Sequence, residues 1–258
     1  MEGFMETHKR GIIRIAYICL LWGLVGHTPN AWSNETVDHS LYAELLNDYV
    51  KHGMVDYRGF KDHEPKLDRY LKILEEVDSK KLRRNEQFAF YINAYNAWTI
   101  KLILSAYPGL RSIKELGGLF TSPWKRKICR IDGDILTLDN IEHDILRPRF
   151  RDPRVHFAVN CASKGCPPLR SEPYLGRTLD RQLDDSVSSF VNNPERTRFE
   201  VKTLFLNKIF DWFSEDFKGD VVGFVLKYAK GALKKRIESG RHELKIRYLD
   251  YDWSLNGR

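Results

Sequence analysis

The segment 85–106 (NEQFAFYINAYNAWTIKLILSA) constrains this chain more than any other. Phe88, Ile92, Tyr95 and Thr99 form one stripe at helical spacing, and Ala89, Asn93, Asn96 and Ile100 form an adjoining one. Asn85 or a neighbour caps the helix, and Pro108-Gly109 stops it. A helix apolar on nearly every side has no face to offer water. It belongs at the centre of a domain, with other elements wrapped around it. Amides inside such a helix are disfavoured unless they are hydrogen-bonded. Asn93 and Asn96 therefore either tie down neighbouring loop carbonyls or face a site, where they orient an imidazole or bind substrate.

The other elements fall on both sides of this helix. Residues 38–52 place Leu41, Leu45 and Tyr49 at helical spacing, with Asp38 as the N-cap, and 65–77 give a second amphipathic helix. Downstream, the short apolar runs 127–131 and 135–138 flank Asp132-Gly133-Asp134, which signals a hairpin. Thr137 or Asp139 caps a short helix through Leu146, which Pro148 ends. Residues 155–159 (VHFAV) read as a buried strand that runs into a compact loop at 160–168. Residues 179–191 predict a helix, 200–206 a strand, 209–213 and 221–233 helices, and 245–249 a last strand. This order predicts an α+β domain, with helices packed on a small, mainly antiparallel sheet.

Residues 1–33 read as a secretory leader rather than as part of the fold. His8-Lys9-Arg10 is a basic start, and the apolar run 15–25 has the length of a signal-peptide core, about 7–15 residues. It is shorter than the roughly 20 apolar residues that span a bilayer. Ala31-Trp32-Ser33 supplies small residues for cleavage before Asn34. The competing reading is an uncleaved anchor, the only route to a membrane. The expected products are a leader at 1–33 and one globular domain at 34–258, secreted or periplasmic. The net charge is +7 for the whole chain, and the excess is dispersed. Lys80-Lys81-Leu82-Arg83-Arg84, Lys125-Arg126-Lys127 and Lys234-Lys235-Arg236 read as solvated helix ends and loops, not as a nucleic-acid stripe. Outside the leader stand Cys129, Cys161 and Cys166. An odd number in an exported chain predicts a free thiol or an intermolecular bond.

The loop 160–168 (NCASKGCPP) is the most unusual local sequence. It presents Cys161 among small residues, and Pro167-Pro168 stiffen it. Such a loop leaves room for a substrate and exposes backbone N–H groups, which lower a thiol pKa or hold an oxyanion. A thiol nucleophile needs a base and an orienting group. His143 and His156 qualify as bases, and Asn160 as an orienting or oxyanion group. Alternatively, Cys161 and Cys166 form a disulfide that braces the loop. A metal set of His143, His156, Cys161 and Glu142 lacks any recognised ligand spacing. No cofactor is expected.

The segments 90–97 (FYINAYNA), 138–147 (LDNIEHDILR) and 156–169 (HFAVNCASKGCPPL) resemble the signature blocks of the domain of unknown function 547 family. The blocks 209–213 (IFDWF) and 251–256 (YDWSLN) resemble its end, so the likeness covers about residues 80–256. It implies hot spots at Asn93, Asn96, Glu142, His143, Arg147, His156, Asn160, Cys161 and Cys166. The set is also similar to papain-like and transglutaminase-like thiol enzymes. There, however, a Cys at a helix N-terminus precedes its His. Here His143 precedes Cys161, and the central helix carries Asn where a Cys would stand.

Two functions follow. In the first, Cys161 attacks an amide or thioester carbonyl, His143 or His156 moves the proton, and Asn160 completes the catalytic set. Asn93, Asn96, Glu142, Arg147 and Cys166 then bind a peptide, cell-wall or γ-glutamyl substrate. In the second, the domain binds a peptide or an envelope partner without catalysis, and Cys161–Cys166 is a structural bridge.

Overall fold

A computed structural model describes residues 36–118, 121–240 and 243–257. The expected leader lies outside the described residues. Among the described residues, no helix is long and apolar enough to cross a membrane.

Three helices come first: α1 (Ser40–Tyr49), α2 (Tyr57–Asp62) and α3 (Glu64–Glu76), with a two-residue hairpin pair, β1 (Val50–Lys51) and β2 (Met54–Val55), after α1. Next comes α4 (Arg84–Leu104), which buries every residue from Gln87 to Ile100 and again from Leu102 to Leu104. The all-round apolar pattern has this physical outcome. Around α4 gather Tyr42, Leu45, Leu46, Phe60, Leu67 and Tyr70 in the larger of two hydrophobic clusters. Each such side chain contributes about 1.5–3 kcal/mol when fully buried. The expected caps differ. Arg83 stands at the N-cap of α4 with no side-chain bond, and His39, not Asp38, is the N-cap of α1.

The hairpin is β3 (Cys129–Ile131) against β4 (Asp134–Leu136), antiparallel, with Ile131 opposite Asp134. Asp132 and Gly133 both take positive φ, 56° and 77°, the geometry that two-residue hairpin turns require. A π-helix, Asn140–Phe150, follows. Thr137 Oγ1 accepts from the Asn140 N–H, and Asn140 Oδ1 accepts from the Thr137 N–H. The helix runs through Pro148 instead of ending before it.

The stretch expected to be a strand at 155–159 is a tight 3₁₀ helix, Pro153–Phe157. Pro153 supplies the helical φ, and Asp152 caps the start by accepting from the Arg154 N–H at 3.0 Å. A short apolar run alone does not separate a strand from a buried helical turn.

The remainder is α5 (Leu179–Val191), β5 (Thr197–Glu200), β6 (Thr203–Leu206), α6 (Ile209–Trp212), α7 (Val221–Tyr228), α8 (Gly231–Gly240) and β7 (Lys245–Tyr248). The strand read at 200–206 is a hairpin that turns at Val201-Lys202, and the helix read at 221–233 breaks between Tyr228 and Gly231. β5 pairs antiparallel with β6, and β6 pairs parallel with β7. These elements close a second cluster of Phe157, Phe190, Phe210, Phe217 and Val225. The class is α+β, with three small sheets among the described residues, mainly antiparallel, rather than one.

Candidate functional site

The loop after the 3₁₀ helix is held at almost every polar atom. Asn96 Nδ2 donates to the Ala158 carbonyl at 2.9 Å, and Asn96 Oδ1 accepts from the Asn160 N–H at 2.8 Å. Asn160 Nδ2 donates to the Pro167 carbonyl at 2.7 Å, which ties the two ends of the loop together. Asn160 Oδ1 accepts from the Ala162 N–H and from Asn256 Nδ2, at 2.9 and 3.0 Å. Ala162 takes φ 61°, a left-handed conformation that costs an L-residue about 1–2 kcal/mol and that these bonds hold in place. The C-terminal segment clamps the outside. The Lys164 and Gly165 N–H groups donate to the Ser254 and Asp252 carbonyls, both at 2.8 Å. Gly165 must be glycine, because a Cβ there would stand 2.7 Å from the Tyr251 ring.

This loop presents a disulfide between Cys161 and Cys166, with Cα atoms 6.2 Å apart. Cys129 is free and buried in the main core, and burial pushes its thiol well up. The Cys161 N–H donates to Cys166 Sγ at 2.9 Å. Ser163 Oγ donates to the Tyr251 oxygen, and the Tyr251 hydroxyl donates to Cys166 Sγ, each at 3.2 Å.

Both sulfurs line a cleft of about 240 Å³ together with Asp139, Glu142, His143 and His156. Trp124, Trp212, Phe213, Tyr251 and Trp253 make its aromatic walls. The rings touch in series: Trp212 to Trp253 at 5.7 Å, Tyr251 to Trp253 at 4.6 Å and Trp124 to Trp253 at 5.9 Å between centroids. Burial first and the neighbouring Glu142 carboxylate second push the buried Tyr95 hydroxyl well above its usual pKa.

The two imidazoles differ. His143 Nδ1 accepts from Arg147 Nη1 at 3.1 Å, and its Nε2 faces Asp139 at 3.8 Å. His156 is buried and stacks on Phe213 at 3.9 Å. Its Nε2 donates to Asp216 Oδ2 at 2.6 Å. Its Nδ1 is buried and has no partner among the described residues. His156 and then Arg147 hold the Asp216 carboxyl well below the usual carboxylate range. Arg147 Nε bonds Asp216 at 2.6 Å and Nη2 bonds Glu215 at 2.7 Å.

Of the residues singled out from sequence, Glu142, His143, His156, Cys161 and Cys166 meet in one cleft. Four others do not take the ligand-facing role, and for Asn93 and Asn96 the structural alternative holds. Asn93 reaches across the core instead: its Nδ2 donates to the Tyr174 carbonyl and its Oδ1 accepts from the Tyr174 N–H, at 2.8 and 2.9 Å. Asn96 and Asn160 spend their amides on the loop backbone, so neither is free to bind substrate or to stabilise an oxyanion. Arg147 is consumed by Asp216, Glu215 and His143, so it positions His143 rather than a ligand. Among the described residues, no three of His, Cys, Asp and Glu gather as a metal set.

Sequence reasoning gave no role to Asp216, Tyr251 or the aromatic walls. Trp212, Phe213, Tyr251 and Trp253 stood in the aromatic blocks 209–213 and 251–256, the only signal they offered. Asp216 offered none.

Residues 79–191 match the family described as "Protein of unknown function, DUF547". This match supports the likeness carried by the blocks at 90–97, 138–147 and 156–169. The match supplies α4, the π-helix and the disulfide loop. Apart from Trp124, the aromatic walls come from residues beyond it, as do Asp216 and the resembling blocks at 209–213 and 251–256. No curated protein and no solved structure matches the chain. The likeness to papain-like and transglutaminase-like enzymes thus gains no support from known structures.

Proposed function

We propose that this chain is an exported ligand-binding protein whose cleft takes a peptide-like ligand carrying a positive charge. One observation carries the reading. The two sulfurs are joined to each other inside a cleft that offers aromatic faces and the carboxylates Asp139 and Glu142. A joined sulfur is no nucleophile, whereas the lining is well suited to holding a cation. An ammonium or guanidinium over an aromatic face gains about 0.5–2 kcal/mol. Lys114 already uses Trp253 in this way, with Nζ 3.7 Å from the ring centre. Export is supported by the leader pattern and by the disulfide, which persists in oxidising compartments.

The test is a fluorescence titration of the oxidised full-length chain with tripeptides whose central residue is lysine, alanine or glutamate. The lysine peptide should give saturable quenching of the cleft tryptophans, and the glutamate peptide none. Glu142→Gln should weaken lysine-peptide binding by about fivefold or more, the value of roughly 1 kcal/mol for a partly exposed charge pair. Quenching by none of the three, or equal quenching by lysine and glutamate peptides, removes the reading.

A second reading, amide hydrolysis by Cys161, is favoured by one fact: both histidines line the same cleft as that sulfur. It demands reduction first, so activity without reductant would contradict it. Each imidazole keeps one nitrogen for the role of base, Nε2 on His143 and Nδ1 on His156, because the other is bound to Arg147 or to Asp216.

A further inference from the structure

We propose that Cys161–Cys166 is a thiol–disulfide exchange site, in which Cys161 receives the attack of an external thiolate and Cys166 is the leaving sulfur. The two sulfurs are unequal. Cys161 is partly exposed, whereas Cys166 is 5% exposed. The buried one accepts from a backbone donor, the Cys161 N–H at 2.9 Å, while the Tyr251 hydroxyl stands 3.2 Å from it and 3.4 Å from Cys161 Sγ, which Ser163 Oγ also meets at 3.2 Å. Hydrogen bonds to an ionised acceptor are about twice as strong as neutral ones, so the fixed backbone N–H and the nearer Tyr251 hydroxyl hold Cys166 better as a departing thiolate than as a bonded sulfur. Ser163 donates to the Tyr251 oxygen, and bonds in such a chain polarise one another. Burial pushes the Tyr251 hydroxyl up to about 12, so it keeps its proton and stays a donor. A leaving thiol of lower pKa departs faster.

The exchange balances as follows. A thiolate of a dithiol attacks Cys161 Sγ; a sulfur–sulfur bond forms between them as the Cys161–Cys166 bond breaks, and the electron pair leaves on Cys166. The second thiolate of the same dithiol then attacks its partner sulfur in the mixed disulfide and releases Cys161. Two electrons pass from the dithiol, now a disulfide, to the protein, and each released protein thiolate takes a proton from water. Trp212, Tyr251 and Trp253 give the attacking molecule an apolar wall beside the bond. The proposal rests on the surroundings of the sulfurs and not on the cationic-ligand reading. Exchange is read by mass and ligand binding by fluorescence, so either can fail alone.

The oxidised full-length chain is mixed with reduced glutathione without denaturant, quenched with iodoacetamide and digested with trypsin. Lys164 separates the two sulfurs into peptides 155–164 and 165–170. The expected result is glutathione on 155–164 and alkylation on 165–170. Tyr251→Phe should slow the exchange by about tenfold, the usual worth of a hydrogen bond to a charged group. Alkylation rates against pH give a second reading: the lone Cys166 of Cys161→Ser should ionise at lower pH than the lone Cys161 of Cys166→Ser. Glutathione found on 165–170, exchange seen only after unfolding, or equal or reversed ionisation of the two lone thiols overturns the proposal.

Discussion

Asn160→Leu destabilises the domain by about 3–5 kcal/mol, measured as the shift in urea unfolding at constant m. The side chain is buried and makes three hydrogen bonds, to the Pro167 carbonyl, the Ala162 N–H and Asn256. Leucine fills much of the space but leaves those three partners unpaired, and each unsatisfied buried group costs about 1–3 kcal/mol. The loss falls on the loop that carries the disulfide. The left-handed Ala162 loses the bond made by its N–H and keeps only the one its carbonyl accepts from the Asn256 N–H, and the Pro167 carbonyl loses its tie to residue 160. A cost under about 1 kcal/mol would show that water replaces the amide and that the loop is not a closed hydrogen-bonded unit.

The second large effect is a loss of stability in mild acid, centred on His39. This residue was absent from the sequence reading. It is 4% exposed; its Nε2 accepts from Asn93 at 3.3 Å and its Nδ1 donates to the Tyr70 hydroxyl at 2.7 Å. Burial lowers its pKa from 6.5 to about 4. Between those values the unfolded chain binds a proton that the folded chain refuses, so stability rises with pH across this window and is lost as pH falls through it. From pH 7 to 4.5 the loss from this group is about 2 kcal/mol. Urea unfolding at the two pH values should show it, and His39→Gln should flatten the dependence by that amount. An unchanged slope in His39→Gln would assign the acid sensitivity to other groups.

These residues show what was legible in the sequence. The all-round burial of α4 and the Asp132-Gly133 hairpin follow from local pattern, because one helix or one turn satisfies itself. The convergence of Glu142, His143, His156, Cys161 and Cys166 could be suspected from the compact spacing of two sequence blocks, 138–147 and 156–169. The roles of Asn93, Asn96 and Asn160 could not be fixed. An amide reads alike in sequence whether its partner is a ligand or a carbonyl 62 residues away, as Ala158 is for Asn96. The 3₁₀ turn at 153–157 was hidden because VHFAV suits a strand, while the decisive residues, Asp152 and Pro153, precede it. The aromatic walls are tertiary: Trp124, Trp212 and Trp253 come from three distant segments, and only the folded chain brings their rings together. Asp216 meets His156 from 60 residues away, with no periodicity to announce it.

The central claim is a cleft with a closed sulfur pair in its lining and a third sulfur sealed in the core. Peptide mass mapping of the purified, non-reduced protein tests it most directly. Peptides 155–164 and 165–170 should run as one linked species that separates on reduction, while Cys129 is alkylated only after unfolding. Free sulfurs at 161 and 166, or a bridge from either to Cys129, would contradict it.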